Sequence, residues 1–221
     1  MLKTAYIRGV SLRTGVPALC EPLLKKPLSC LTEGEKEEIL LSGKKAELKL
    51  YRFKNMGELP RVQKVMGFLK GVWPENLLDI GSGRGVFLFP FLAQFPYVPV
   101  TSLDILDHRV EFLNDLTLGG IDRLTALKED LCSWEAEEKS FDVVTMLEVL
   151  EHIPDVEKAI INAVRLAKRY VVVTVPSKED NNPEHIHLLT KDILTDIFTR
   201  AGAKSLHFDG VNGHLFMTAR V

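Results

Sequence analysis

Leu77-Leu78-Asp79-Ile80-Gly81-Ser82-Gly83-Arg84-Gly85 is an apolar run that ends in an acid and passes into three glycines at every second position. Leu77 to Ile80 reads as a buried parallel strand, and the apolar stretch after Gly85 reads as a helix beginning near Val86. Glycines between the two let the chain turn tightly and let a ligand approach where a Cβ would collide. The spacing excludes one common version of such a loop. A dinucleotide fingerprint needs G-x-G-x-x-G, whose third glycine would fall at Val86.

Three further stations follow in order. Val98 to Leu103 reads as a second strand and ends in Asp104, about 20 residues past the glycines, where an acid suits both hydroxyls of a ribose. Asp104 would also cap a helix starting near Leu106. A short strand over Leu124 to Leu127 leads into Lys128-Glu129-Asp130-Leu131. The fourth station is Phe141-Asp142-Val143-Val144-Thr145-Met146-Leu147-Glu148-Val149-Leu150-Glu151-His152-Ile153-Pro154, a strand that ends near Met146 and a loop and short turn after it.

The set, from about Leu77 to Val175, resembles the class I S-adenosylmethionine-dependent methyltransferases of the type 11/23 branch. The glycine stretch is similar to their first motif, and the fourth station to their FDvV…EVLEHIPD segment. The resemblance implies an α/β fold with a Rossmann-like, seven-stranded, mostly parallel sheet whose last strand is antiparallel. It implies S-adenosyl-L-methionine as cofactor, with S-adenosyl-L-homocysteine as product. It also implies a binding site of Asp79, Gly81, Ser82, Gly83 and Gly85 in the loop, Asp104 and Ile105 at the ribose, and Leu147 and Glu148 after strand four. Asp130 would accept from the adenine amino group, and Leu131 would pack on the ring.

Composition fits one main domain: 221 residues with 46% hydrophobic content allow a sizeable core. No apolar run approaches the ~20 residues of a membrane helix, and Met1-Leu2-Lys3 leads into no signal-like stretch, so no membrane association is expected. Cys20, Cys30 and Cys132 have no metal-ligand spacing and fit a reducing cytoplasm. Charge is uneven, since residues 1–76 hold 14 Lys+Arg against 8 Asp+Glu and residues 77–221 hold 14 against 22. Within 43–71 the count is 8 against 2, a patch that reads as a solvated helix face or as a meeting place for phosphates.

Residues 1–60 read as a partly helical appendage that covers the substrate side, and 61–221 as the cofactor-binding domain. Residues 1–31 show no sustained period, and Pro17, Pro22 and Pro27 argue against a long helix there. Thr32 to Glu35 has capping-box spacing and opens a helix through about Ser42, which Gly43 breaks. A second helix is expected from Lys44 to about Asn55. In the next, Val62, Val65, Met66 and Leu69 face the core, with Arg61, Lys64 and Lys70 outside. A helix from Val156 to Lys168 precedes a fifth strand, Tyr170 to Val175, and another runs from Lys191 to Ala201 with Gly202 as its cap. Ser205 to Asp209 and His214 to Arg220 read as a terminal hairpin around Gly210 and Gly213.

Methyl transfer from a sulfonium needs an aligned acceptor and, where required, a group to remove its proton. Ligands in an open α/β sheet sit at the strand carboxyl ends. The loops Glu148 to Pro154 and Pro176 to Leu189 are therefore the acceptor candidates, and the second carries Asp180, Asn181, Asn182, Glu184, His185 and His187. His152 is the first choice for a catalytic general base, because a histidine changes charge near neutral pH. The favoured acceptor is a small molecule, with no metal expected. One alternative is a resemblance to metal-dependent RNA 3′-terminal 2′-O-methyltransferases, which carry E-x-x-E-H after strand four and a further histidine after strand five. It implies RNA as acceptor and Mn²⁺ or Mg²⁺ held by Glu148, Glu151, His152 and His187, although Leu188-Leu189-Thr190 replaces the aromatic stretch of those enzymes. A second alternative is a non-catalytic protein that binds S-adenosylmethionine.

Overall fold

The computed structural model describes residues 1–53, 57–179 and 181–221. Seven strands form one sheet: β1 (Leu77–Ile80), β2 (Val100–Asp104), β3 (Leu124–Lys128), β4 (Phe141–Leu147), β5 (Ala167–Pro176), β6 (Ser205–Val211) and β7 (His214–Arg220). Their order is β3-β2-β1-β4-β5-β7-β6. Neighbours from β3 to β5 are parallel, while β7 runs antiparallel to both β5 and β6. This is the expected sheet. The order reverses between β1 and β4, which opens a crevice at the carboxyl ends of these two strands.

Both faces of the sheet are buried, so the strands carry continuous apolar runs whose successive side chains alternate between two cores. Leu77, Val100, Val143, Val172 and Phe216 face one core, shared with α4 (Pro60–Val72), α5 (Leu88–Gln94) and α6 (Asp107–Leu118). Leu78, Leu103, Val144, Val173 and Met217 face the other, shared with α7 (Val156–Leu166) and α8 (Lys191–Arg200). In α4, Val62, Val65, Met66 and Leu69 are buried as their spacing predicts. Among the described residues, no helix is long and apolar enough to cross a membrane.

The N-terminal segment departs from expectation. It opens with a 13-residue helix, α1 (Leu2–Thr14), followed by α2 (Glu21–Lys25) and α3 (Glu33–Lys45). Eight consecutive residues of α1, Thr4 to Ser11, are buried, so the helix has no polar face and leaves no periodic signature in sequence. The prolines lie beyond its end, and Pro22 enters the first turn of α2, where a missing N–H costs nothing. The capping box at Thr32 forms as predicted, but α3 runs through Gly43. A Cβ there would lie 2.5 Å from Ile7 Cδ1, so Gly43 permits close packing and does not end the helix. In place of the helix expected over Lys44 to Asn55 there is a loop and a 3₁₀ turn, Leu50–Phe53, while Lys54 to Met56 lie outside the described residues. Gly210 belongs to β6, and the hairpin turns at Asn212-Gly213.

α1 packs along α6, on the β2–β3 flank of the sheet. Two glycines make this possible: a Cβ on Gly9 would sit 1.8 Å from Asp115 O, and one on Gly119 would sit 1.7 Å from Ala5 O. The Arg13 guanidinium closes the contact on the buried Asp115 carboxylate, at 2.7 and 2.9 Å. Gly9→Ala should therefore lower unfolding free energy by about 2 kcal/mol or more. Gly67→Ala, in α4 with nothing within 4 Å of the added carbon, should raise it by about 0.5–1 kcal/mol. Urea denaturation of both variants measures the contrast.

Candidate active site

The glycine loop leaves β1 with Gly81, Gly83 and Gly85 at φ 63°, 56° and 75°, a left-handed region that disfavours any side chain. A Cβ on Gly81 would come within 2.7 Å of Val149 Cγ2, and one on Gly85 within 2.4 Å of the Phe89 ring. The loop is thus clamped between the end of β4 and the start of α5. Beneath it, Asp79 is 2% exposed. Its Oδ1 accepts from Thr145 Oγ1 at 2.7 Å and its Oδ2 from Ser82 Oγ, which is also bonded to Ser102 Oγ at 2.6 Å. Burial pushes the Asp79 carboxyl up to about 6; the Ser82 and Thr145 hydrogen bonds oppose the rise, and the like charge of Asp104 adds to it.

Above the loop lies a cleft of about 860 Å³. Asp79, Gly81, Ser82, Gly83, Asp104, Ile105, Asp130, Leu131, Leu147 and Glu148 all line it, whereas Gly85 stands behind the loop against Phe89. Asp104, at the end of β2, is 6% exposed. Its Oδ1 accepts from Leu106 N at 3.0 Å, a turn bond ahead of α6, whose N-cap is Leu106 and not Asp104 as the sequence suggested, and its Oδ2 faces Arg109 Nη1 at 3.5 Å. Ile105 is exposed on the rim and Leu131 is buried on the cleft wall. Asp130 is exposed, and its Oδ1 accepts from Cys132 N at 2.9 Å, which orders the turn that carries it.

Glu148 stands where β4 ends, with φ 58°. A non-glycine residue in this region is strained, and such strain collects at functional positions. Its backbone N–H donates to Thr174 O at 2.9 Å, and its Oε1 accepts from Thr174 Oγ1 at 2.7 Å. Its Oε2 lies 3.0 Å from His214 Nε2. His214 Nδ1 donates to Asn212 O at 3.1 Å, because a carbonyl only accepts. The Glu148 side chain is thus fixed at the cleft wall between Thr174 and His214.

The 3₁₀ turn Leu150–His152 carries Glu151 inward, fully buried, and His152 outward into the cleft. His152 Nδ1 donates to Glu184 O at 2.9 Å, and its ring meets that of His185 at 4.8 Å between centroids. Glu151, His152 and His185 bring ligand atoms within 4.8 Å of one another. Of the four residues that the metal-dependent alternative implies, the structure brings together Glu151 and His152, joined there by His185. Glu148 is turned to Thr174 and His214, and His187 donates Nε2–H to Ile153 O at 3.1 Å. Asp180 lies outside the described residues.

Sequence reasoning missed four groups near the site. Arg61, expected on the solvent side of its helix, lines the cleft together with Arg84 and Arg109, and His214 backs Glu148. For Arg84 and Arg109 the available signal was closeness in sequence to the glycine loop and to Asp104; Arg61 had none. His214 is 66 residues from its partner, and nothing local marks it.

With the fold and cleft defined, comparison with known proteins places the chain. A family model described as a methyltransferase domain matches residues 53–207. The chain belongs to this family of methyltransferase domains. It is similar to the ubiquinone biosynthesis O-methyltransferase of Hahella chejuensis, at 34% identity over 95 residues, 42% of this chain and 39% of that protein. It is also similar to ribosomal RNA small subunit methyltransferase G of Streptococcus agalactiae, at 33% over 76 residues, 33% of this chain and 32% of that one. These matches span less than half the length of the curated relatives. A methyltransferase from Archaeoglobus fulgidus shares the fold with a TM-score of 0.62 at 16% identity, over 83% of this chain and 99% of that one. The methyltransferase domain of bacterial CtHen1 gives 0.61 at 18%, over 76% and all of that chain.

The buried Asp79 carboxyl leads to a test of sign. Its folded pKa of about 6 lies above the ordinary 3.8, so the folded state binds more protons than the unfolded state between these values. Asp79 therefore erodes stability as pH rises from 3.8 to about 6, by up to about 3 kcal/mol. Relative to wild type, Asp79→Asn should gain stability by a comparable amount as pH rises through this window, measured by denaturant unfolding at a series of pH values.

Proposed function

We propose that the cleft binds S-adenosylmethionine and delivers its methyl group to a small-molecule acceptor. The observation that carries the reading is the convergence of the left-handed glycine loop, the buried Asp79 and the ribose-type acid Asp104 in one cleft at the strand-order reversal. Bound S-adenosylmethionine supplies a methyl already activated by a positive sulfonium. The chain's own residues then bind and align. The loop leaves room for the amino-acid portion, Asp104 Oδ2 takes the ribose hydroxyls, and Leu131 and Ile105 bracket the adenine beside Asp130. Leu147 and Glu148 wall the methionine end. The positive cofactor stabilises the ionised form of Asp79 beneath it.

His152 is our candidate for the acceptor's base. With Nδ1–H given to Glu184 O, Nε2 is the ring atom that would take a proton from the acceptor. A small acceptor is favoured over RNA by the fate of the basic 43–71 segment. Lys64 is turned to Asp209, Arg52 lies over the Phe112 ring and Arg61 lines the cleft, so these three of its cations are not presented on a common face.

A second reading has one observation in its favour. The Glu151, His152 and His185 cluster offers a carboxylate and two imidazoles, a donor set that suits Mn²⁺ and similar ions. Under this reading the cluster would hold an ion beside a vicinal diol of an RNA 3′ end.

Thermal shift tests both. S-adenosylhomocysteine about 100-fold above Kd should stabilise the chain by about 2.7 kcal/mol. Asp104→Ala should weaken that binding by about 2 kcal/mol, the loss of hydrogen bonds to a charged group. A further shift with Mn²⁺ that His185→Ala removes would promote the metal reading, and its absence would leave the metal-independent one.

A further inference from the structure

Among the described residues, none before Arg61 lines the cleft, yet the N-terminal segment reaches the back of the glycine loop. Four rings from four elements make the connection: Tyr6 of α1, Phe53 of the 3₁₀ turn, Phe89 of α5 and Phe112 of α6. Phe53 touches the other three, with centroids 5.4 Å from Tyr6, 5.3 Å from Phe112 and 5.1 Å from Phe89. It is stacked on Phe89, with 22° between the planes, and Phe89 meets Phe112 at 6.0 Å. Its neighbour Arg52 lies over the Phe112 ring at 5.3 Å. One turn of the N-terminal segment is thus keyed into both α5 and α6.

The tip of the Phe89 ring ends on the loop. A Cβ on Gly85 would meet its Cζ at 2.4 Å and its two Cε atoms at 2.5 and 2.6 Å. Gly85 N–H donates to Ser82 O at 2.8 Å, and Ser82 Oγ donates to the Asp79 carboxylate. Contact therefore runs unbroken from Tyr6 through Phe53, Phe89 and Gly85 to Ser82, which lines the cleft. A glycine has no side chain by which a fold can hold it, and its backbone has more freedom to lose than that of any other residue. At Gly85 the Phe89 ring supplies the restraint from behind. Without Phe53, a ring-sized space would open beside Phe89, into which it could tilt away from the loop.

We propose that Phe53 is a positioning residue for the cofactor: through its stack on Phe89, the N-terminal segment holds the glycine loop in the shape that takes the amino-acid portion of S-adenosylmethionine. The inference rests on the cofactor reading above and gives residues 1–53 a part in it. A loop already held in its bound shape loses little conformational freedom when the ligand arrives, which raises affinity without any new contact. The effect is confined to one end of the ligand, because Asp104, Ile105 and Leu131 at the nucleoside end follow β2 and β3 and not the glycine loop.

Calorimetric titration of the full chain with S-adenosylhomocysteine, and with 5′-methylthioadenosine, which lacks the amino-acid portion, separates this role from a general loss of stability. Phe53→Ala should weaken S-adenosylhomocysteine about fivefold, the order of one aromatic pair, and leave 5′-methylthioadenosine unchanged. Leu23→Ala, in the separate N-terminal cluster of Ile7, Leu23, Leu31 and Ile39, should lower the melting temperature with both affinities intact. If Phe53→Ala does not fold, Phe53→Leu, which keeps apolar bulk and loses the stack, carries the same expectation. The inference is overturned if the Phe53 variant binds S-adenosylhomocysteine as wild type does, if it loses both ligands equally, or if Leu23→Ala shows the same selective loss. A wild-type chain that binds neither ligand would overturn the cofactor reading, and this inference with it.

Discussion

The Asp79 carboxylate, buried where β1 ends, is the constraint on which the rest of the site depends. It ties the loop to β1 through Ser82, β4 through Thr145 and, by way of Ser82, β2 through Ser102. These are the strands that meet at the order reversal, so one acid fixes the mouth of the cleft. Burial makes its charge costly, a cost that a cationic ligand above it would relieve. The site is thus built less stable than an apolar version would be, in the manner expected of a position shaped for binding.

The left-handed turns extend the same logic. Gly81 gives way to Val149 and Gly85 to Phe89, so the loop has no slack in which to rearrange. On the facing wall, Glu148 accepts backbone strain, and Thr174 and His214 hold its side chain in place. A left-handed glycine loop after β1 and a strained Glu148 after β4 meet at the crevice. A pocket rigid at this end is suited to holding a sulfonium and an acceptor in line.

The central domain was legible because each of its strands is followed by a chemically distinctive residue. Glycines follow β1, Asp104 closes β2, and Asp130 follows β3, so local spacing carried the central fold and picked out residues that line the cleft. The N-terminal region was opaque for a physical reason: α1 is buried all round, and a helix without a polar face has no period to read. Gly43 was misread because a glycine that permits packing looks the same in sequence as one that ends a helix. Pairings across long separations, such as Glu148 with His214, depend on strand register and have no local mark. His185 and His187 were distinguishable only once the loop was placed, with His187 bonded to Ile153 O and His185 against the His152 ring.

The measurement that tests the account most directly is a crystal structure of the chain with S-adenosylhomocysteine. The account predicts the ribose hydroxyls on Asp104 Oδ2, the adenine against Leu131 and the amino-acid portion over Gly81 to Gly83. A ligand seated elsewhere, or a ribose that makes no contact with Asp104, would contradict it.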